Sequence, residues 1–296
     1  MIPENYSTIS LFGIEMNPPR GFAVGNLDIR LYGIVIALGL ILAVAYALRQ
    51  KKHFGLTEDQ LLDGVLIIVP ISIICARLFY CIFEWDAYKN DPVSILYIWQ
   101  GGLAIYGAII GALVSVFVYC RVRKISVGAT MDLTVLGFLI GQALGRWGNF
   151  FNREAVGQLA EGSNWFLKMG LLNKYTGQFE YFHPTFLYES VWNTIGFVLL
   201  HLFRKKRQYD GQIALMYCAW YGLGRAFIEG LRMDSLYIGA FRVNQLLASA
   251  LCVFATTILL VLHLRKYRPQ LYADRIAAQQ EEALEQEIEE EIEDAE

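Results

Sequence analysis

Seven stretches of this sequence stay apolar for roughly the 20 residues a helix needs to cross a bilayer, and no other feature limits the fold so tightly. They run at about 31 to 48, 61 to 83, 103 to 120, 129 to 146, 186 to 203, 212 to 229 and 243 to 264. Inside lipid a chain must satisfy its own backbone hydrogen bonds, and a helix does so within one segment. The expected fold class is therefore all-α, an integral membrane bundle of seven transmembrane helices. A composition that is 55% hydrophobic is too apolar for an ordinary soluble domain. Pro70, Asp63 and Arg77 interrupt the second run, and Asp132 and Gln142 the fourth, so those two have the least defined ends.

The basic residues orient the runs. Arg49, Lys51 and Lys52 follow the first; Arg121, Arg123 and Lys124 the third; Arg204 to Arg207 the fifth; Arg265, Lys266 and Arg268 the seventh. Every cluster follows an odd-numbered run, so one assignment satisfies the positive-inside rule: N-terminus outside, C-terminus in the cytoplasm. Segments 84–102, 147–185 and 230–242 then face outward, and 147–185, the longest, is the expected head. The first 28 residues are mixed polar, with Pro18, Pro19 and Gly21. They read as an outer segment ahead of an uncleaved anchoring span.

From Asp274 onward eleven acids face Arg275 alone, a balance of −10 that leaves +7 for the rest of a chain whose net charge is −3. Ile276, Leu284, Ile288 and Ile292 recur there at helical spacing, as in a solvated acidic helix or a disordered end. The organisation expected is a membrane domain over 1–268 and an acidic cytoplasmic tail over 269–296. The five cysteines lie in or beside apolar runs without metal-ligand or CxxC spacing and read as small buried residues.

Ionisable groups inside apolar runs are costly, roughly 2.5 to 3.5 kcal/mol each even on a lenient scale, so they mark sites or buried pairs. Arg146, Asn149, Asn152 and Glu154 follow the fourth run within Gly141–Gly157. A guanidinium fork with two amides and a carboxylate at a membrane surface can hold a lipid phosphate; a lone Arg there would merely snorkel. Glu189 falls one turn inside the fifth run, where it needs a cation, with Arg146 and Arg225 as candidates. Arg225 and Glu229 share a helix face at the outer end of the sixth run, with Arg232 three residues on. That pair is either self-contained or part of a second arginine cluster. Arg77 should face the bundle interior, for function or for structural pairing. Tyr32 is an interfacial anchor or a hydroxyl offered to a headgroup. Glycines 107 and 111, and 137, 141 and 145, are spaced for close helix packing, which could bring Tyr106 near Arg146.

These residues resemble the bacterial prolipoprotein diacylglyceryl transferase family. The resemblance extends from Arg30-Leu31-Tyr32-Gly33 to Gln245 and is most specific at Gly145-Arg146-Trp147-Gly148-Asn149-Phe150-Phe151-Asn152-Arg153-Glu154 through Gly157. His183-Pro184 with Leu187-Tyr188-Glu189, and Tyr221-Gly222 with Arg225, Glu229 and Arg232, resemble two later motifs of the family. Membership implies an enzyme of the bacterial cell membrane. It would move the diacylglyceryl group of phosphatidylglycerol to the lipobox cysteine thiol of a prolipoprotein signal peptide, with glycerol phosphate as by-product. One departure stands out: many members have His where this chain has Tyr106.

On that reading Arg146 and Arg225 stabilise the departing phosphate. Asn149, Asn152 and Tyr32 hold the glycerol end, and Gly148 and Gly157 permit turns of a loop. Arg77, Tyr221, Glu229 and Arg232 complete the substrate-binding set. Free thiols ionise near pH 8.5 and phenols near 10, so a neutral phenol is a weak base for a thiol. Tyr106 ranks first as headgroup positioner and second as base, with Glu154 or Glu189 as other proton acceptors. Membrane lipids are the expected surroundings. No cofactor, metal or nucleic-acid partner is expected, since the sequence carries no ligand cluster or nucleotide loop. The competing classes are an anion transporter, which predicts an internal repeat and midplane polar breaks, and another phosphatidylglycerol-consuming transferase.

Overall fold

In the computed structural model, residues 6–25, 27–154, 156–160, 168–233, 237–239 and 241–293 are described. The chain divides into two compact units, Met1–Ala47 with Thr134–Pro269, and Leu48–Leu133 with Gln270–Glu296. The long helices are α1 (Leu31–Gln50), α2 (Glu58–Phe83), α4 (Ile105–Val122), α5 (Val127–Asn152), α6 (Thr185–Phe203), α7 (Gln212–Glu229), α8 (Val243–Leu264) and α9 (Tyr272–Glu293), with a single turn, α3 (Trp85–Tyr88), after α2. Among the described residues six helices, all but α7 of the seven expected spans, are long and apolar enough to cross a membrane. Helix α7 lies where the sixth run predicts it, but Gln212, Arg225 and Glu229 lower its hydropathy.

In the first unit, helix contacts follow the glycines. A Cβ on Gly39 of α1 would lie 3.4 Å from Gly141 Cα, and one on Gly137 would lie 3.3 Å from Ala43 Cβ, so α1 and α5 meet along a small-residue seam. Gly148 does not turn a loop as expected; it lies inside α5. Its missing side chain makes room for the Tyr32 ring, which would be 2.6 Å from an added Cβ. Helices α6 and α7 are joined by stacked indoles, Trp192 and Trp220, with centroids 4.2 Å apart. Each indole N–H donates to the other residue's carbonyl at 3.0 Å. Against α8, Gly222 brings α7 within 2.6 Å of the Ala248 carbonyl, measured from a Cβ built at the glycine.

The head of this unit is a small sheet, an addition to the helical fold expected. Strands β1 (Tyr6–Leu11), β2 (Ile14–Met16), β5 (Met169–Asn173) and β6 (Phe179–Phe182) pair antiparallel in the order β2-β1-β5-β6. Two hairpins, β3 (Gly21–Val24) with β4 (Leu27–Arg30) and β7 (Tyr237–Ile238) with β8 (Phe241–Arg242), lead directly into α1 and α8. One face of the sheet buries Ile9, Leu11, Met169, Leu171 and Phe182 against Phe150, Val156 and Phe186, at about 1.5 to 3 kcal/mol for each large side chain. Residues 161–167 of the expected head lie outside the described residues.

The second unit is built on α2 and α4. Thr57 caps α2 in a capping box with Gln60, with mutual bonds of 3.0 and 3.2 Å. Gly111 of α4 sits against Cys75 of α2, where a Cβ would come within 2.6 Å of the cysteine Cβ. Helix α9 begins against Gly55, whose φ of 71° places it in the left-handed region, and then exposes Leu284, Ile288 and Ile292. Residues 272–293 of the tail form this helix.

Candidate functional site

Helix α5 does not stop where its apolar run ends. It continues through Arg146 and Asn149 to Asn152, so both side chains lie on a helix rather than on a loop. Its end is a Schellman cap: the Arg153 N–H donates to the Phe150 carbonyl at 3.1 Å and the Glu154 N–H to the Asn149 carbonyl at 2.8 Å. Arg153 takes the left-handed conformation, φ 58°, that usually falls to glycine. Its guanidinium donates to the Asn17 side chain and to the Pro18 carbonyl. Burial, and after it the nearby Arg20 charge, pushes the Arg153 pKa down from its ordinary value.

Beyond this cap the chain is pinned on both sides. Gly157 N–H donates to the His183 carbonyl at 2.9 Å, and Gln158 N–H to the Leu231 carbonyl at 2.8 Å. Gly157 thereby bridges Arg232. An added Cβ at Gly157 would meet His183 Cβ and carbonyl oxygen at 2.7 Å. The glycine is needed for close approach, since its φ is not in the left-handed region. This brings the segment after α5, the start of α6 and the end of α7 to one place.

There three arginines converge on two buried carboxylates. Glu189 of α6, 4% exposed, lies 2.5 Å from Arg146 Nη2, 2.8 Å from Arg225 Nη1 and 3.3 Å from Arg232 Nη1. Both cations named from the sequence pair with it, and a third joins them. Glu229 of α7, fully buried, lies 2.6 Å from Arg225 Nη2, a Coulombic contact rather than an aligned hydrogen bond, and 3.9 Å from Arg232 Nε. Arg225 is thus shared between two helices, and the self-contained α7 pair is set aside. Among these five side chains cations outnumber anions in a mostly buried setting, where charges interact strongly.

Two supports escaped the sequence reading. Asn244 Nδ2 donates to Glu229 Oε1 at 3.1 Å, and the Arg242 guanidinium donates to the Glu229 carbonyl. Both stand beside Gln245, whose amide donates to the Ala226 carbonyl at 2.9 Å. Polar residues opening an apolar run, as in Arg242-Val-Asn-Gln, were the available signal. Tyr221 lines a small cavity with Arg225 and Glu189. Asn149 Oδ1 lies at the edge of hydrogen-bond range from Arg146 Nη1, 3.5 Å, as does Glu154 Oε1 from Asn152 Nδ2.

Tyr106 and Arg77 belong to the second unit. Tyr106 opens α4 and is 40% exposed. Arg77, 5% exposed, donates to the carbonyls of Ser94, Ile95, Gly101 and Gly102 at 2.7 to 3.0 Å. Structural pairing therefore accounts for its position.

Six helices long and apolar enough to cross a membrane, with a buried cluster of arginines and glutamates between three of the helices, mark an integral membrane protein. The profile of the family described as prolipoprotein diacylglyceryl transferase matches residues 19–262. The chain is 40% identical over 269 residues to the phosphatidylglycerol--prolipoprotein diacylglyceryl transferase of Listeria welshimeri, covering 89% of this chain and 96% of the relative. Proteins of the same name from Bacillus velezensis and Limosilactobacillus reuteri are each 40% identical, covering 88% and 84% of this chain and 98% and 92% of the relatives. The chain belongs to the prolipoprotein diacylglyceryl transferase family and is a multi-pass bacterial membrane protein.

Proposed function

We infer that this chain transfers the diacylglyceryl group of phosphatidylglycerol to the lipobox cysteine of prolipoproteins, the first step of lipoprotein lipidation. Family membership supports the reaction. The observation that carries the site is the convergence of Arg146, Arg225 and Arg232 on Glu189 and Glu229. In the transfer, the bond between the lipid's glycerol carbon and its phosphate oxygen breaks and a carbon–sulfur bond forms. The thiol proton passes to an acceptor, and glycerol phosphate leaves. A phosphodiester carries one negative charge, and guanidiniums outnumber carboxylates in the cluster. The leaving phosphate gains charge as the bond breaks, and prearranged guanidiniums favour that change.

Glu189 and Glu229 orient the arginines. Glu189 already meets three guanidiniums, so Glu154, with one long contact to Asn152, is the better proton acceptor. Asn149, Asn152 and Tyr32 hold the glycerol end, Tyr221 lines the lipid site, and Gly157 holds Arg232 in register. Tyr106, in the second unit, is the phenol whose replacement tests for a part in the reaction. Arg77 acts by fixing the 94–102 segment. The finer topology belongs to the same reading: seven spans with α7 as the sixth, N-terminus and head outside, and acidic tail in the cytoplasm. Helix α7 crosses because its charged end is neutralised within the cluster.

The test is transfer of labelled diacylglyceryl to a lipobox peptide by purified protein, Arg146→Ala and Tyr106→Phe. Activity lost with Arg146→Ala and kept with Tyr106→Phe supports phosphate stabilisation and removes Tyr106 as an obligatory base. Folded wild-type protein that transfers nothing would sink the assignment.

A further inference from the structure

One helical turn from the charged cluster, on the side away from the head sheet, each contributing helix carries an uncharged polar residue. Four residues from Arg146 on α5 stands Gln142; four from Glu189 on α6, Asn193; four from Arg225 on α7, Tyr221. The spacing keeps each pair on one helix face, about 6 Å apart along the axis. On α6 and α7 the two levels share one small cavity, lined by Glu189 and Arg225 and also by Asn193 and Tyr221, with Trp192 and Ile228 as apolar wall.

Asn193 is only 3% exposed, and a buried amide between apolar helices is costly unless it bonds to something. Gln142 makes the same point on α5. Its side chain lies near the Tyr217 hydroxyl, whose ring stacks on Tyr221 with centroids 5.8 Å apart, while its Oε1 is buried without a partner. Turned about, the amide accepts from Tyr217 through Oε1 and presents its N–H donors instead. In that orientation the spare capacity one turn below the cations is a donor, the kind an ester carbonyl oxygen needs.

We propose that Asn193 and Gln142 form a second hydrogen-bonding layer that holds the ester carbonyl oxygens of the lipid whose phosphate the arginines take. This rests on the transferase reading. Inward of its phosphate, a diacylglycerol lipid offers uncharged groups that only accept hydrogen bonds. Neutral amide donors suit them, whereas cations there would compete for the phosphate. Holding both levels fixes the glycerol carbon between them.

The experiment compares phosphatidylglycerol with its di-O-alkyl analogue, which keeps phosphate, glycerol and reacting carbon but lacks the carbonyl oxygens. Initial rates of transfer to a lipobox peptide are measured for wild type, Asn193→Leu and Gln142→Leu. Wild type should show a lower KM for the diacyl lipid. Each variant should raise that KM about two- to tenfold, the loss of one neutral hydrogen bond, and leave the KM for the ether lipid within about twofold. A purely structural role would shift both lipids alike, and that result would overturn the proposal. So would a wild type indifferent to the carbonyls, a comparison that needs no variant to fold. Should Asn193→Leu fail to fold, Gln142→Leu decides. No transfer from either lipid by folded wild type would overturn the transferase reading itself, and the proposal with it.

Discussion

Replacing Glu189 with leucine should destabilise the protein far more than its modest change in size suggests. The carboxylate lies within 3.3 Å of three guanidiniums, and its loss leaves them against Glu229 alone, so the local positive charge rises by one. Removing one partner of a buried ion pair costs about 3 to 5 kcal/mol. The three arginine side chains are 12% to 23% exposed and can partly turn toward solvent, which favours the lower end, about 3 kcal/mol. At about 2 to 4 °C per kcal/mol for a unit of this size, the midpoint should fall by about 6 to 12 °C. Thermal unfolding in detergent, followed by tryptophan fluorescence, reads this directly, because the Trp192–Trp220 stack lies on the same two helices as Glu189 and Arg225. Glu154→Gln is the control and should stay within about 2 °C. Adding Arg146→Leu to Glu189→Leu removes one uncompensated cation and should restore about 1 to 3 kcal/mol relative to additivity. A Glu189→Leu midpoint within about 2 °C of wild type, or strictly additive behaviour in the double variant, would refute the shared-carboxylate account.

Arg225→Lys should lose transfer by at least about a hundredfold, because a single ammonium lacks the planar fork that reaches Glu189 through Nη1 and Glu229 through Nη2; an activity near wild type in the peptide assay would contradict this. Gly157→Ala places a methyl against His183 and Leu231, so it should cost about 1 to 3 kcal/mol in unfolding experiments and a larger share of activity through Arg232. Exchanging Trp220 for phenylalanine removes its bond to the Trp192 carbonyl and should lower stability by about 1 kcal/mol, with KM unchanged. Truncation after Ile276 keeps the contact of α9 with Gly55 and removes, among the described residues, only exposed helix, so transfer should stay within about twofold of wild type.

The spans were legible because lipid leaves a chain few options: long apolar runs must be helices, and ionisable groups inside them must meet partners. That logic located Arg146, Glu189, Arg225 and Glu229. It could not show that one carboxylate serves three arginines, since pairing between helices depends on their rotation and not on spacing within any one of them. The sheet was hidden for a related reason. Strand β1 pairs with β5, with Leu11 opposite Met169, and strands this short carry too little alternation to stand out. Helix α5 was cut short in the sequence reading because Arg146, Asn149 and Asn152 break its hydropathy but not its hydrogen bonds. Gly148 misled in the same way. A glycine in a polar stretch suggests a turn, but here it makes room for an aromatic ring within a helix.

The most direct test of the central claim is which phosphodiester bond breaks. Purified protein, phosphatidylglycerol and a lipobox peptide are incubated and both products quantified by mass spectrometry. The account predicts diacylglyceryl thioether peptide and glycerol phosphate in equal amounts, and neither with Arg146→Ala. Release of free glycerol with phosphate left on the lipid, or a peptide carrying only a single acyl chain, would contradict it.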